Sequence, residues 1–123
     1  MNRTLLVTDD AAIIREMIKD LATQAGWTVV GEAGNGQEAI QRYAELRPSA
    51  VTLDLVMPEY DGLHALHGIM HINPQAKILV ISALEQKSIL KDAFKAGATD
   101  FVVKPFSRQT LLSALEQLAP AGN

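Results

Sequence analysis

Five short runs rich in Val, Ile and Leu recur along the chain, and their spacing restricts the fold more than any other feature: "LLVTD" (5–9), "TVVGEA" (28–33), "AVTLD" (50–54), "KILVIS" (77–82) and "DFVVK" (100–104). Several are apolar at consecutive rather than alternate positions, the pattern of strands covered on both faces in a parallel sheet. Between them lie segments with helical spacing: Ile14, Met17, Ile18 and Leu21, then Ile40, Tyr43 and Ala44, then Leu63, Leu66 and Met70. Leu90, Ala93 and Phe94 supply a fourth, and Leu111, Leu112, Leu115 and Leu118 a fifth. Punctuation agrees with this division. Gly26 and Gly97 stand where helices should stop, Pro48 and Pro74 follow the second and third, and Asn35 with Glu38 offers a cap to the second. The predicted order is (βα)5. Strands joined by helix-sized connections must lie parallel with right-handed crossovers, so a doubly wound α/β sheet of five strands follows.

With 123 residues the chain has the size of one domain, expected to span 1–123, and no domain-sized linker interrupts it. No stretch approaches the ~18 apolar residues of a membrane span. The N-terminal "MNRTLLVTDD" lacks the long apolar core of a secretory signal, which points to a soluble, cytoplasmic protein without membrane insertion. With no cysteine, a disulfide framework and thiolate metal sites are excluded. A formal net charge of −3 argues against nonspecific DNA binding, and no DNA-binding module is expected after residue 118.

In sheets of this kind ligands bind outside the carboxyl ends of the strands. The polar residues there are Asp9 and Asp10 after the first run, Asp54 after the third, Ser82 after the fourth and Lys104 after the fifth. A single Asp at such a place is ordinarily a helix cap or a solvated turn. Convergence of five polar residues from four strands on one sheet edge is not ordinary. If the first and third strands are neighbours, three carboxylates crowd together, and each like-charged pair costs roughly 1–4 kcal/mol at about 4 Å. A hard divalent cation such as Mg²⁺, which prefers carboxylate and carbonyl oxygens, would offset that repulsion. Lys104 adds one mobile positive charge. A carboxylate beside a bound cation and an ammonium is a reasonable nucleophile toward phosphorus, and Ser82 could donate to a phosphoryl oxygen.

The segments "VTDD", "LDLVMPEYDGL", "VISA" and "FVVKPF", in this order and spacing, resemble the receiver domain of two-component response regulators, with closest likeness to the stand-alone receivers of chemotaxis. That family is itself an example of the flavodoxin-like strand order 2-1-3-4-5. The resemblance implies a switch rather than an enzyme, with Asp54 as phosphoacceptor for a histidine kinase. It further implies Mg²⁺ bound directly by Asp10, Asp54 and the backbone carbonyl of Val56, and by Asp9 mainly through water. Lys104 would pair with the phosphoryl oxygens, Ser82 would turn toward them on their arrival, and Phe101 would be the switch aromatic that moves inward. Lys104-Pro105 matches a peptide that is cis in the family. Ser82 and Phe101 stand where Thr and Tyr are common. Val56 and Leu84 are apolar where some relatives carry polar groups that handle the hydrolytic water, so slow to moderate self-dephosphorylation is expected.

The resemblance places the output surface on the fourth helix, fifth strand and fifth helix, with a flagellar switch protein as the expected partner. Lys87, Lys91 and Lys95 repeat every four residues on that helix. They read either as a solvated face or as an attraction for an acidic partner segment. His64, His67 and His71 share one stripe of the third helix, as an ordinary exposed face or an adventitious Zn²⁺ or Ni²⁺ site without an evident fourth ligand. Trp27 reads as a partial hydrophobic plug. Within the switch reading, a phosphorelay receiver or a piece of a longer regulator are alternatives. Two other readings are weaker: a haloacid-dehalogenase-like phosphatase wants a second acid where Val56 stands, and a flavodoxin-like flavin binder wants a phosphate loop after the first strand.

Overall fold

The computed structural model describes residues 3–57, 61–83 and 87–119. Five strands alternate with five helices: β1 (Thr4–Thr8), α1 (Ala12–Gln24), β2 (Thr28–Ala33), α2 (Gly36–Leu46), β3 (Ala50–Leu53), α3 (Gly62–Ile72), β4 (Ile78–Ala83), α4 (Lys87–Ala96), β5 (Asp100–Lys104) and α5 (Arg108–Leu118). All strand pairs are parallel, in the order β2-β1-β3-β4-β5. The fold class and strand order are those expected from the sequence.

The consecutive apolar residues serve two faces, because neighbouring side chains on a strand point to opposite sides. Leu5 and Val7 of β1, with Leu79, Ile81 and Val102, pack against Ile18 and Ala22 of α1 and Leu111, Leu115 and Leu118 of α5. Leu6, Val51, Leu53, Ile78 and Val80 face the other way, onto Ala39 and Tyr43 of α2, Leu66 and Ile69 of α3, and Ala93 of α4. Trp27 is more than a partial plug. Only 2% exposed, it belongs to the α1–α5 core, with the Arg3 guanidinium 5.8 Å from its ring centroid.

The punctuation works largely as read. Gly26 and Gly97 follow α1 and α4 with φ of 91° and 118°, values that favour a residue without a side chain. At the end of α2, however, Arg47 takes the left-handed conformation (φ 45°), immediately before Pro48. Asn35 Oδ1 accepts from Glu38 N at 2.9 Å, but the returning Glu38 carboxylate accepts from Gly34 N at 2.7 Å, one residue before the cap. β1 and β3 end one residue earlier than the apolar runs suggest. Asp9 and Asp54 therefore lie just beyond the strands, still tied to their neighbours by Asp9 N donating to Ala33 O and Asp54 N to Thr8 O, each at 3.1 Å.

Candidate functional site

In the β1–β3 register Thr8 lies opposite Leu53, so the next residues, Asp9 and Asp54, emerge side by side. Asp10 follows at once, and one carboxylate oxygen from each of the three lies within 4.8 Å of the others. Their environments differ. Asp9 and Asp54 are buried and Asp10 is exposed. Lys104 reaches in from β5, its Nζ 2.8 Å from Asp9 Oδ2 and 3.2 Å from Asp54 Oδ2. The other Asp9 oxygen accepts from Ala11 N at 2.9 Å, and Asp54 Oδ1 accepts from Val56 N at 3.1 Å. Ser82 Oγ faces Asp54 Oδ1 at 3.5 Å, already toward the carboxylate but at the outer limit of a hydrogen bond.

Burial pushes the Asp54 carboxyl above its ordinary value, outweighing the Val56 N–H and the Lys104 charge, while the nearby Asp9 adds to the rise. Burial also works against the Lys104 ammonium, yet the hydrogen bond to Asp9 and the charge of Asp54 raise its pKa overall. With the acids ionised, three carboxylates against one ammonium leave two uncompensated negative charges (−3 + 1 = −2). An all-oxygen donor set with that excess fits a hard divalent cation. Among the described residues Asp10 has no hydrogen-bond partner, which leaves its carboxylate available as a ligand. This is also the only group of three or more acids or histidines found close enough to hold a metal among those residues. His64, His67 and His71 form no such group and lie exposed along α3, with His64 Nε2 3.3 Å from Gln37 Oε1.

Farther from the acids, Phe101 is 36% exposed and its ring meets Phe94 of α4 edge-on, with centroids 5.9 Å apart. The Lys104-Pro105 peptide is cis, and Val56 is 49% exposed. Leu84 lies outside the described residues.

Two residues with a clear place at this site were not singled out from the sequence. Gly62 opens α3 directly against the turn after β3: its N–H donates to Leu55 O at 3.1 Å, and a Cβ there would run into the Asp54 carbonyl oxygen and Leu55 Cα. The signal was present in "YDGL", where Asp61 caps α3 by accepting from His64 N at 3.0 Å. Arg15 of α1 donates to the backbone carbonyl of Asp9 at 2.6 Å. Nothing local in the sequence marks that contact.

The family model of the response regulator receiver domain matches residues 5–116. The chain belongs to the response regulator receiver family. This receiver is 48% identical over 119 residues to the chemotaxis protein CheY of Thermotoga maritima, covering 97% of this chain and 99% of the relative. It is 46% identical over 117 residues to the CheY of Bacillus subtilis, covering 95% and 98%. Among solved structures, the complex of CheX, CheY, BeF3 and Mg²⁺ from Borrelia burgdorferi aligns with a TM-score of 0.88 and 30% identity, over 95% of this receiver and 90% of that chain. The response regulator domain of Thermotoga maritima CheB aligns with a TM-score of 0.84 and 33% identity, over 96% and 94%. The phosphatase and flavin-binding readings give way to the family match. No helix among the described residues is long and apolar enough to cross a membrane.

Proposed function

We propose that this receiver is a Mg²⁺-dependent phosphoacceptor that takes a phosphoryl group from a histidine kinase onto Asp54, and thereby changes its affinity for a downstream protein in chemotaxis. The observation that carries the reading is the buried Asp54 carboxylate, flanked by Asp9, Asp10 and Lys104 within one cluster. The chemotaxis assignment is supported by the names of the relatives, and the CheX complex shows a related protein together with Mg²⁺ and a phosphoryl mimic.

An Asp54 oxygen attacks phosphorus while the bond from phosphorus to the histidine nitrogen breaks, giving an acyl phosphate. Asp54 must be ionised to attack. Lys104 assists by favouring the carboxylate and by offering an ammonium to the incoming oxygens. Asp10, Asp54 and the Val56 carbonyl, with Asp9 in an outer role, would hold a Mg²⁺ ion, which would supply charge neutralisation at the transferring group. Asp9 is buried with both carboxylate oxygens partnered, whereas Asp10 is exposed and its carboxylate has no partner among the described residues, which supports the inner role for Asp10 and the outer one for Asp9. Ser82, whose hydroxyl lies 3.5 Å from Asp54 Oδ1, would turn to donate to a phosphoryl oxygen. The exposed, apolar Val56 offers no side-chain group to orient an attacking water, in keeping with slow to moderate self-dephosphorylation. A Val56→Asn variant should change the decay rate.

A phosphoryl group adds roughly two negative charges and three acceptor oxygens, enough to bias a nearby element between two arrangements. Ser82 and Phe101 would carry that bias to the face of α4, β5 and α5, where the exposed Lys87 and Lys91 suit an acidic segment of a flagellar switch protein, while Lys95 lines the groove toward Leu63 and His67 of α3. We read residues 1–123 as one receiver domain acting in the cytoplasm without direct contact to DNA.

The test is intact-mass analysis after incubation with a small phosphodonor such as acetyl phosphate and Mg²⁺. One added phosphoryl group is expected, lost with EDTA and lost in Asp54→Asn. Equal labelling of Asp54→Asn, or none in the wild type, would overturn the assignment.

A further inference from the structure

Arg15 makes two hydrogen bonds that the phosphoryl chemistry above does not use. Its Nη1 donates to the Asp9 carbonyl at 2.6 Å, and its Nε donates to Glu32 Oε1 on the edge strand β2 at 2.9 Å. Glu32 is a firm anchor. Its second oxygen accepts from Lys19 Nζ at 2.7 Å, and the bonds from Lys19 and then Arg15 outweigh its burial and hold its carboxyl below the usual value.

We propose that Arg15 is a positioning residue for the cation site, one that fixes the Asp9–Asp10 peptide against β2 and so aims the Asp10 carboxylate. The inference rests on the Mg²⁺ reading above. Every polar group of Asp9 has a partner: the N–H donates to Ala33 O, the carbonyl accepts from Arg15, Oδ1 accepts from Ala11 N and Oδ2 from Lys104. The Asp9 carbonyl shares a rigid peptide plane with the nitrogen of Asp10. Holding that carbonyl therefore fixes the root from which the Asp10 side chain projects. The exposed Asp10 carboxylate has no hydrogen-bond partner of its own among the described residues, so its aim depends on the backbone beneath it. The planar guanidinium holds its donors in a fixed fork, so it ties the Asp9 carbonyl to Glu32 with a geometry that an ammonium on a flexible stem does not fix.

Charge alone makes the opposite prediction. A cation near the acids repels Mg²⁺, so removing Arg15 as a mere charge would tighten binding; removing it as a clamp weakens binding. The sign of the change decides between the two. The experiment is calorimetric titration of the full chain with Mg²⁺ in the absence of phosphodonor, with thermal unfolding followed in the same buffer.

Arg15→Ala should weaken Mg²⁺ binding roughly threefold to tenfold, the worth of one positioning hydrogen bond. Arg15→Lys keeps the charge and should still weaken it, which covers the case in which the alanine variant does not fold. Lys19→Met removes a cation bound to the same Glu32 but not to Asp9, and should leave Mg²⁺ affinity unchanged or slightly higher. Wild-type affinity in a folded Arg15→Lys, or tighter binding in Arg15→Ala, would overturn the clamp while leaving the cation site in place. Failure of the wild-type protein to bind Mg²⁺ saturably would overturn the site itself, and the proposal with it.

Discussion

Between α2 and α3 the side chains interlock, whereas α4 buries Ala93 and packs Ile89, Leu90 and Ala96 only partly covered against the core. Ile40 fills the space that a Cβ at Gly68 would need, and Asn73 Nδ2 donates to the hydroxyl of the buried Tyr43 at 2.9 Å. α3 buries Gly62, Ala65, Leu66 and Ile69, and its first turn abuts the Asp54 carbonyl. In α4 only Ala93 is buried among the described residues, and Phe94 is 42% exposed where it meets Phe101. The two flanks of the acidic cluster thus differ in how much must break before they move. A tightly packed flank keeps the cluster in place, and a loosely packed one offers the low-stability element that a switch requires.

Truncations should separate the flanks most strongly. Leu66→Ala, in the fully buried contact of α3, is expected to cost about 2–5 kcal/mol in urea unfolding. Phe94→Ala should cost below about 1 kcal/mol because this residue is already 42% exposed. Similar losses at the two positions would break the comparison. Tyr43→Phe should cost about 1 kcal/mol by removing the acceptor of Asn73. The Phe94–Phe101 contact sharpens the contrast further: a double-mutant cycle should give a coupling of about 0.5 kcal/mol in the resting protein, the low end for aromatic pairs. That coupling should fall when beryllofluoride and Mg²⁺ are added, if Phe101 leaves its edge-on contact.

A pH series probes the cluster itself. Burial raises the Asp54 pKa in the folded chain, so ionising this group works against folding, and stability should rise as pH falls through the raised value. Asp54→Asn should therefore be the more stable protein at neutral pH in EDTA. Its advantage should shrink on acidification and vanish below the ordinary value of 3.8. An advantage that grows toward acid would mean that Asp54 is stabilised as a carboxylate instead.

Much of this arrangement is legible in the residues. β2 and β5 coincide with their apolar runs, and the cluster of Asp9, Asp10, Asp54, Ser82 and Lys104 follows from reading the polar residues at the strand ends, once the strands are known to be parallel. The resting geometry is less legible. Lys104 lies closer to Asp9 than to Asp54 although β3 stands nearer to β5 than β1 does, so strand order alone does not give the preference. Arg15 and Gly62 escaped because their importance lies in contacts between elements: one helix residue reaching a carbonyl six positions earlier and a glutamate on an edge strand, and one glycine permitting a helix to touch the turn after β3. The motif "YDGL" marks Gly62 as the start of a helix but not the close approach it permits, and nothing local marks the reach of Arg15.

The central claim, that the loosely packed flank answers to Asp54, is tested most directly by backbone amide NMR before and after adding beryllofluoride and Mg²⁺. The expected result is a change at Asp9, Asp10 and Asp54 that extends to Ser82, Phe94 and Phe101, with the amides of Tyr43 and Asn73 unmoved. Changes confined to the three acids, or spread equally over α2, α3 and α4, would contradict it.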